Sequence, residues 1–208
     1  FEKKNLEKIK AFHALNNSEI KNIKYFFKKD IKKLSSGIDN PIKIISDFEL
    51  DWLKKINKKD KIILFLGRLE PEKGLKELIE AWNQLSEECK MNCWWLLIVG
   101  YGSMTTYVKN NAINKKRIIF HGESYEEEKE FILKISKAFI LPSISEGIPI
   151  AVLEALSHRL LCLLTRECNF EKLKKLGSSI EINKDISNLK LSLKKLFELN
   201  SEEFNKRV

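Results

Sequence analysis

From residue 61 onward the chain alternates between two hydrophobic patterns. Short apolar runs ("KIILFLG", "WWLLIVG", "RIIFHG", "AFILPS", "LLCLLT") are separated by longer segments with helical spacing. In "EKGLKELIEAWNQLSEE" the residues Leu75, Leu78, Ile79 and Trp82 recur three or four apart and form one apolar stripe. Strands that are apolar almost throughout are covered on both faces, and their alternation with helices makes them neighbours in a parallel sheet. The pattern predicts an α/β fold, a doubly wound parallel sheet of Rossmann-like type.

Residues 1–60 follow a different rhythm. They contain "AFHAL", a capped helix beginning near Ser18, the loop signals "SSGIDNP" and a short strand "IKIIS". This part reads as the tail of a preceding domain plus a linker, with the ligand-binding domain at 61–208. It is too small to bury a core of its own.

Strand ends mark the place for a site. Gly67, Gly100 and Gly122 close three of the apolar runs, and polar residues follow at once: Arg68, then Tyr101-Gly102-Ser103, then Glu123-Ser124. In doubly wound sheets ligands bind outside the carboxyl ends of the strands.

Composition narrows the partners. Lys and Arg number 38 against 29 for Asp and Glu, a net charge of +9, which favours anions: nucleotides, nucleic acid or an acidic membrane surface. No apolar run is longer than the one around Trp94 to Val99, so no transmembrane helix is expected. Cysteines at 89, 93, 162 and 168 form no C-x-x-C pair, and no Cys/His grouping has zinc spacing; reduced thiols and a cytoplasmic location are expected. His13, His121 and His158 approach no nucleophile in sequence. No signal peptide is visible, but the chain opens on Phe1 and reads as a piece of a longer protein.

Three stretches carry candidate chemistry. In "GRLEPEKG" Arg68 leaves a strand end and Lys73 opens the next helix, which would bring two positive charges to a helix amino terminus suited to a diphosphate. Two ordinary surface cations are the alternative. "VGYGSMT" lacks the third glycine of a dinucleotide fingerprint, since Thr105 stands there; a tight turn lining a cleft is the expected role for Gly102. In "SEGIPIAVLEALSH" Pro149 suits the first helical position, so the amides of Gly147 and Ile148 can point outward. Glu154 falls among Ala, Val and Leu, and burying a carboxylate costs several kcal/mol unless it is paired. A bland alternative gives Glu146 to the helix dipole and pairs Glu154 with His158 one turn on. "DFELD" at 47–51 reads as a solvated acidic turn.

The order strand-"GRLEPEKG", strand-"VGYG", "RIIFHG", "AFILPSISEGIPIAVLEALS" resembles the carboxy-terminal domain of retaining GT-B glycosyltransferases, family 4 ("group 1"), over about residues 60 to 185. "CNFEKLKKLGSSIEI" is similar to the segment that follows in that family. The resemblance implies a nucleotide-diphospho-sugar donor, UDP- or GDP-linked. Arg68, Lys73 and Glu146 become the catalytic set: the first two hold the diphosphate and Glu146 meets the sugar hydroxyls. Gly147 and Ile148 present amides to phosphate or sugar, Glu154 accepts from the ribose, and Gly122, Glu123 and Ser124 receive the base. No metal and no other cofactor are implied. The activity implied is retaining transfer of a hexose or hexosamine in bacterial surface-polysaccharide or glycolipid synthesis. A glycan or lipid-linked acceptor would bind a missing amino-terminal domain at the inner face of a membrane, and nucleic acid is not an expected partner. The segment "IISDFELD" stands where the family has a Pro-Asn-Gly turn. The chain also stops at Val208 before the family's closing helix. With the acceptor domain missing, it is expected to be inactive by itself.

Two other classes remain open on the sequence. One is an epimerase or phosphorylase on the same fold. The other is a module that binds polyanions through its basic charge alone.

Overall fold

The computed structural model describes residues 11–14, 17–26, 30–33, 48–112 and 116–208. In the first part β1 (Ala11–Ala14) pairs in parallel with β2 (Asp30–Lys33), and α1 (Asn17–Phe26) connects them. The helix expected from Ser18 is present. β2, with the sequence DIKK, shows no apolar pattern from which a strand could be read. "SSGIDNP" and "IKIIS" lie outside the described residues.

Six parallel strands form the main sheet: β3 (Lys61–Leu66), β4 (Trp94–Val99), β5 (Ile118–Gly122), β6 (Ala138–Leu141), β7 (Leu161–Thr165) and β8 (Ser179–Ile182). Their order across the sheet is β5-β4-β3-β6-β7-β8. The chain winds outward from β3 through β4 to β5, returns to the other side of β3, and winds outward again through β6 and β7. Strand order therefore reverses between β3 and β6, and an open α/β sheet holds its ligand crevice at such a reversal. The doubly wound architecture expected from the apolar runs is the one the chain adopts.

Helices flank the sheet: α2 (Leu75–Gln84), α3 (Ser86–Met91), α4 (Thr105–Asn111), α5 (Glu126–Ile135), α6 (Ile150–Ser157), α7 (Glu171–Lys175), α8 (Ile186–Glu198) and α9 (Ser201–Asn205). The predicted stripe of α2 is fully buried, and β4 and β6 are buried at every position, as strands covered on both faces must be. α8 starts at an Asp185 cap, whose carboxylate accepts the Asn188 amide at 2.8 Å. It runs back to α2, and Phe197 lies edge-on to Trp82 and stacked on Trp94, with ring centres 6.0 and 5.9 Å apart.

The joint between the two windings is short. β3 and β4 are in register over six residue pairs, whereas β3 and β6 share only Ile63↔Ala138 and Leu64↔Phe139. The segment ahead of β3 also belongs to this body. Trp52, in a 3-10 turn over Asp51–Lys55, is buried in the core, and its indole N–H donates to His121 Nδ1 at 3.0 Å. With Nδ1 accepting, Nε2 carries the ring proton and faces Glu128 Oε2 at 3.2 Å.

Candidate functional site at the strand reversal

Gly67 follows β3 and leads into a loop packed on the loop after β4. A Cβ at Gly100 would stand 1.9 Å from the Gly67 carbonyl oxygen, and one at Gly102 would stand 2.5 Å from that of Leu69. Glycine at both positions lets the two loops touch. Glu70 locks the contact: its carboxylate accepts the Ser103 hydroxyl at 2.5 Å and the Ser103 amide at 3.1 Å. Those two bonds hold the Glu70 carboxyl below its ordinary value. Thr105, in place of the fingerprint's third glycine, accepts the Gly102 amide at 3.0 Å and donates to the Gly102 carbonyl at 2.8 Å. That hydroxyl closes the turn from within.

Lys73 does not open a helix, as the spacing predicted. It ends a 3-10 turn over Pro71–Lys73, and left-handed Gly74 (φ 69°) separates it from α2. The extra turn aims Lys73 across the reversal, where its Nζ meets Glu146 Oε1 at 2.5 Å. Both side chains are largely buried, 13% and 10% exposed. Arg68 is three-quarters exposed, lies 4.0 Å from Glu72, and is not part of that pair. The expected convergence of two cations is thus a buried Lys73 beside a solvent-facing Arg68.

The loop carrying Glu146 is stitched to the Lys73 turn and to the strand beyond. The Glu72 carbonyl accepts from the Ser143 hydroxyl at 3.1 Å and the Ile144 amide at 2.8 Å. Thr165 donates to the Ser143 carbonyl at 2.7 Å. Asn169, left-handed at φ 63°, donates to the carbonyls of Glu146 and Gly147 at 2.9 and 3.2 Å. α6 starts at Ile150 with Pro149 as the extended residue before it, one position later than expected. Gly147 and Ile148 accordingly belong to the loop.

Glu154 is held, but not by His158. Its Oε1 accepts Lys129 Nζ of α5 at 2.6 Å. The His158 ring turns its Nε2 to Glu130 at 3.0 Å, both side chains being 9% exposed, and its Nδ1 lies 3.0 Å from the Glu154 main-chain carbonyl. The alternative i,i+4 pair of Glu154 with His158 is not made, because the neighbouring helix brings a carboxylate and an ammonium to the same face. Consecutive residues Lys129 and Glu130 thus pin Glu154 and His158. No sequence signal distinguishes Lys129 among so many lysines.

At the end of β5, left-handed Gly122 (φ 97°) leads to exposed Glu123, whose carboxylate accepts the Tyr125 hydroxyl at 2.8 Å. Ser124 is buried, and its Oγ has no hydrogen-bond partner among the described residues. A buried orphan hydroxyl marks a place where a ligand or water completes the bonding. Among the described residues no group of three or more His, Cys, Asp or Glu converges as a metal site. No helix there is long and apolar enough to cross a membrane.

Comparisons with known proteins point one way. The family described as glycosyl transferases group 1 matches residues 47–208. An uncharacterized glycosyltransferase of Methanocaldococcus jannaschii is 24% identical over 173 residues, covering 71% of this chain and 44% of that protein. The Escherichia coli UDP-Gal:alpha-D-GlcNAc-diphosphoundecaprenol alpha-1,3-galactosyltransferase is 33% identical over 108 residues, 50% of this chain and 27% of that one. Among solved structures, WaaG, a glycosyltransferase involved in lipopolysaccharide biosynthesis, superposes with a TM-score of 0.76 at 16% identity, covering 94% of this chain and 55% of that one. Staphylococcus aureus TarM, solved with UDP among its ligands, gives 0.73 at 19% identity over 99% of this chain and 40% of that one. The chain spans less than half the length of these curated relatives.

Proposed function

The chain belongs to the glycosyl transferases group 1 family, and from that premise we propose that it is the donor-binding part of a retaining, metal-independent glycosyltransferase using a nucleotide-diphospho-sugar. The observation that carries the reading is the Lys73–Glu146 pair. It joins residues 73 positions apart across the strand reversal and puts a cation and a hydrogen-bond acceptor side by side, both largely buried. A glycosyl diphosphate needs those two groups adjacent: a cation for the departing phosphate and an acceptor for the sugar hydroxyls.

In this reading Lys73 and Arg68 neutralise charge on the diphosphate as the anomeric carbon–oxygen bond breaks; the acceptor oxygen bonds to that carbon with retention, and its proton passes to the departing phosphate oxygen. Glu146 orients the sugar, with the Gly147 and Ile148 amides facing the same group. Glu154 accepts from the ribose, and the Gly122–Ser124 loop takes the base, with the orphan Ser124 hydroxyl available to it. Gly102 keeps the floor of the crevice low. UDP in the TarM structure and the UDP-Gal donor in the galactosyltransferase's name support a nucleotide-sugar donor. The diphosphoundecaprenol in the latter name supports a lipid-linked acceptor, hence work at the cytoplasmic face of a membrane, where a net charge of +9 suits an acidic surface. The acceptor site belongs to chain beyond this one, so residues 1–208 alone bind donor without appreciable transfer, their half-cleft being open to water.

A thermal-shift panel tests this. A nucleotide sugar at a hundred times its dissociation constant raises stability by about 2.7 kcal/mol, and Arg68→Ala weakens binding of the matching diphosphate about tenfold while sparing the bare nucleoside. If heparin and nucleic acid stabilise as well as any nucleotide sugar, with a steep salt dependence, the basic-module reading replaces it.

A further inference from the structure

We propose that Lys129 is a positioning residue that sets the site's preference for ribose over deoxyribose by holding the Glu154 carboxylate in place. The inference rests on the reading of Glu154 given above and adds a residue from a different helix to it. Lys129 Nζ lies 2.6 Å from Glu154 Oε1, with the two side chains 28% and 18% exposed. At that exposure the pair is neither a solvated surface contact nor a fully desolvated one. Its consequence is geometric: a glutamate has several rotatable bonds, and an ammonium on one oxygen restricts where the other can point.

The surroundings make that restriction effective. Val152 and Ala155 on either side of Glu154 are fully buried, which fixes the helix beneath it. Glu130, next to Lys129, meets His158 at 3.0 Å, so α5 grips α6 at two places one turn apart. Lys129 therefore approaches from a fixed direction. With Oε1 engaged, Oε2 is the oxygen left to accept from a ribose hydroxyl. Without Lys129 the carboxylate is free to swing toward water, and the hydroxyl loses an aligned acceptor while the rest of the nucleotide keeps its contacts.

The test is calorimetric titration of the 208-residue chain with UDP, GDP and their 2′-deoxy counterparts. Wild type binds the ribose form of whichever diphosphate it takes about tenfold more tightly than the deoxy form, the worth of one charge-assisted hydrogen bond. Lys129→Met, which keeps the aliphatic stem, lowers that ratio to about threefold or less, and Lys129→Arg restores it. A change in melting temperature common to both variants leaves the ratio untouched if Lys129 only ties two helices together. A full ribose preference in Lys129→Met overturns the proposal, whatever happens to stability. Should wild type bind the diphosphate without preferring ribose, the role of Glu154 itself fails and the role of Lys129 falls with it. Lys129→Gln is the second variant if the Met form does not fold.

Discussion

Lys73 and Glu146 satisfy each other in the free protein. If the donor binds as proposed, its diphosphate would compete with the Glu146 carboxylate for the same ammonium, whereas its sugar would offer hydroxyls to Glu146 in return. On that proposal the pair would favour the whole donor over the bare diphosphate. Glu146→Gln removes the competing charge, so it should bind a bare nucleoside diphosphate at least as tightly as wild type. Most of the affinity added by the sugar should disappear, about tenfold. Isothermal titration with both ligands decides it: an equal loss for both would mean that Glu146 serves only to hold Lys73. The sequence singled out both residues but could not show them in contact, because the ion pair is made by the sheet's reversal and not by any local period. Lys129 was out of reach for the same reason. It stands 25 positions from Glu154 on another helix, and it looks like any solvent-facing lysine of a basic chain.

At the scale of elements, the turn between β3 and α2 depends on Gly74. Its φ of 69° is a left-handed conformation, and a Cβ there would sit 2.3 Å from the main-chain oxygen of Pro142. Gly122 offers a control, with φ 97° but open space around it. Gly74→Ala should thus destabilise by clearly more than the roughly 1 kcal/mol of a strained backbone alone, and Gly122→Ala by about that amount. Thermal unfolding of the two variants makes the comparison; equal losses would show that the Pro142 contact relaxes freely. The fully apolar strands were legible because burial on both faces leaves no polar position to confuse. β8 was not, since its SIEI sequence alternates and its burial is confined to Ile182. β2 was hidden by its two lysines and its aspartate. The start of α6 slipped by one residue because Pro149 fits the residue before a helix as well as the first residue within it.

For the whole molecule, the reversal that creates the crevice also divides the sheet. Two registered pairs between β3 and β6 are a narrow seam beside six between β3 and β4. The division is bridged by the stitched loops after β3 and β6 and, outside the sheet, by α8, which belongs to the second winding and returns to α2 in the first. Phe197 sits between Trp82 and Trp94, Lys190 donates to Gln84 at 2.9 Å, and Lys194 meets Glu88 at 3.1 Å. Phe197→Ala should cost about 3 kcal/mol or more and speed amide exchange in β6 more than in β4. Uniform acceleration across all six strands would argue against a seam. In mechanical terms α8 is a clasp: part of the tension between the halves is borne by side chains, buried Phe197 and two polar pairs, beside the short backbone ladder. A crevice that had to widen around a bulky donor would yield first along β3 and β6, with the clasp as its hinge.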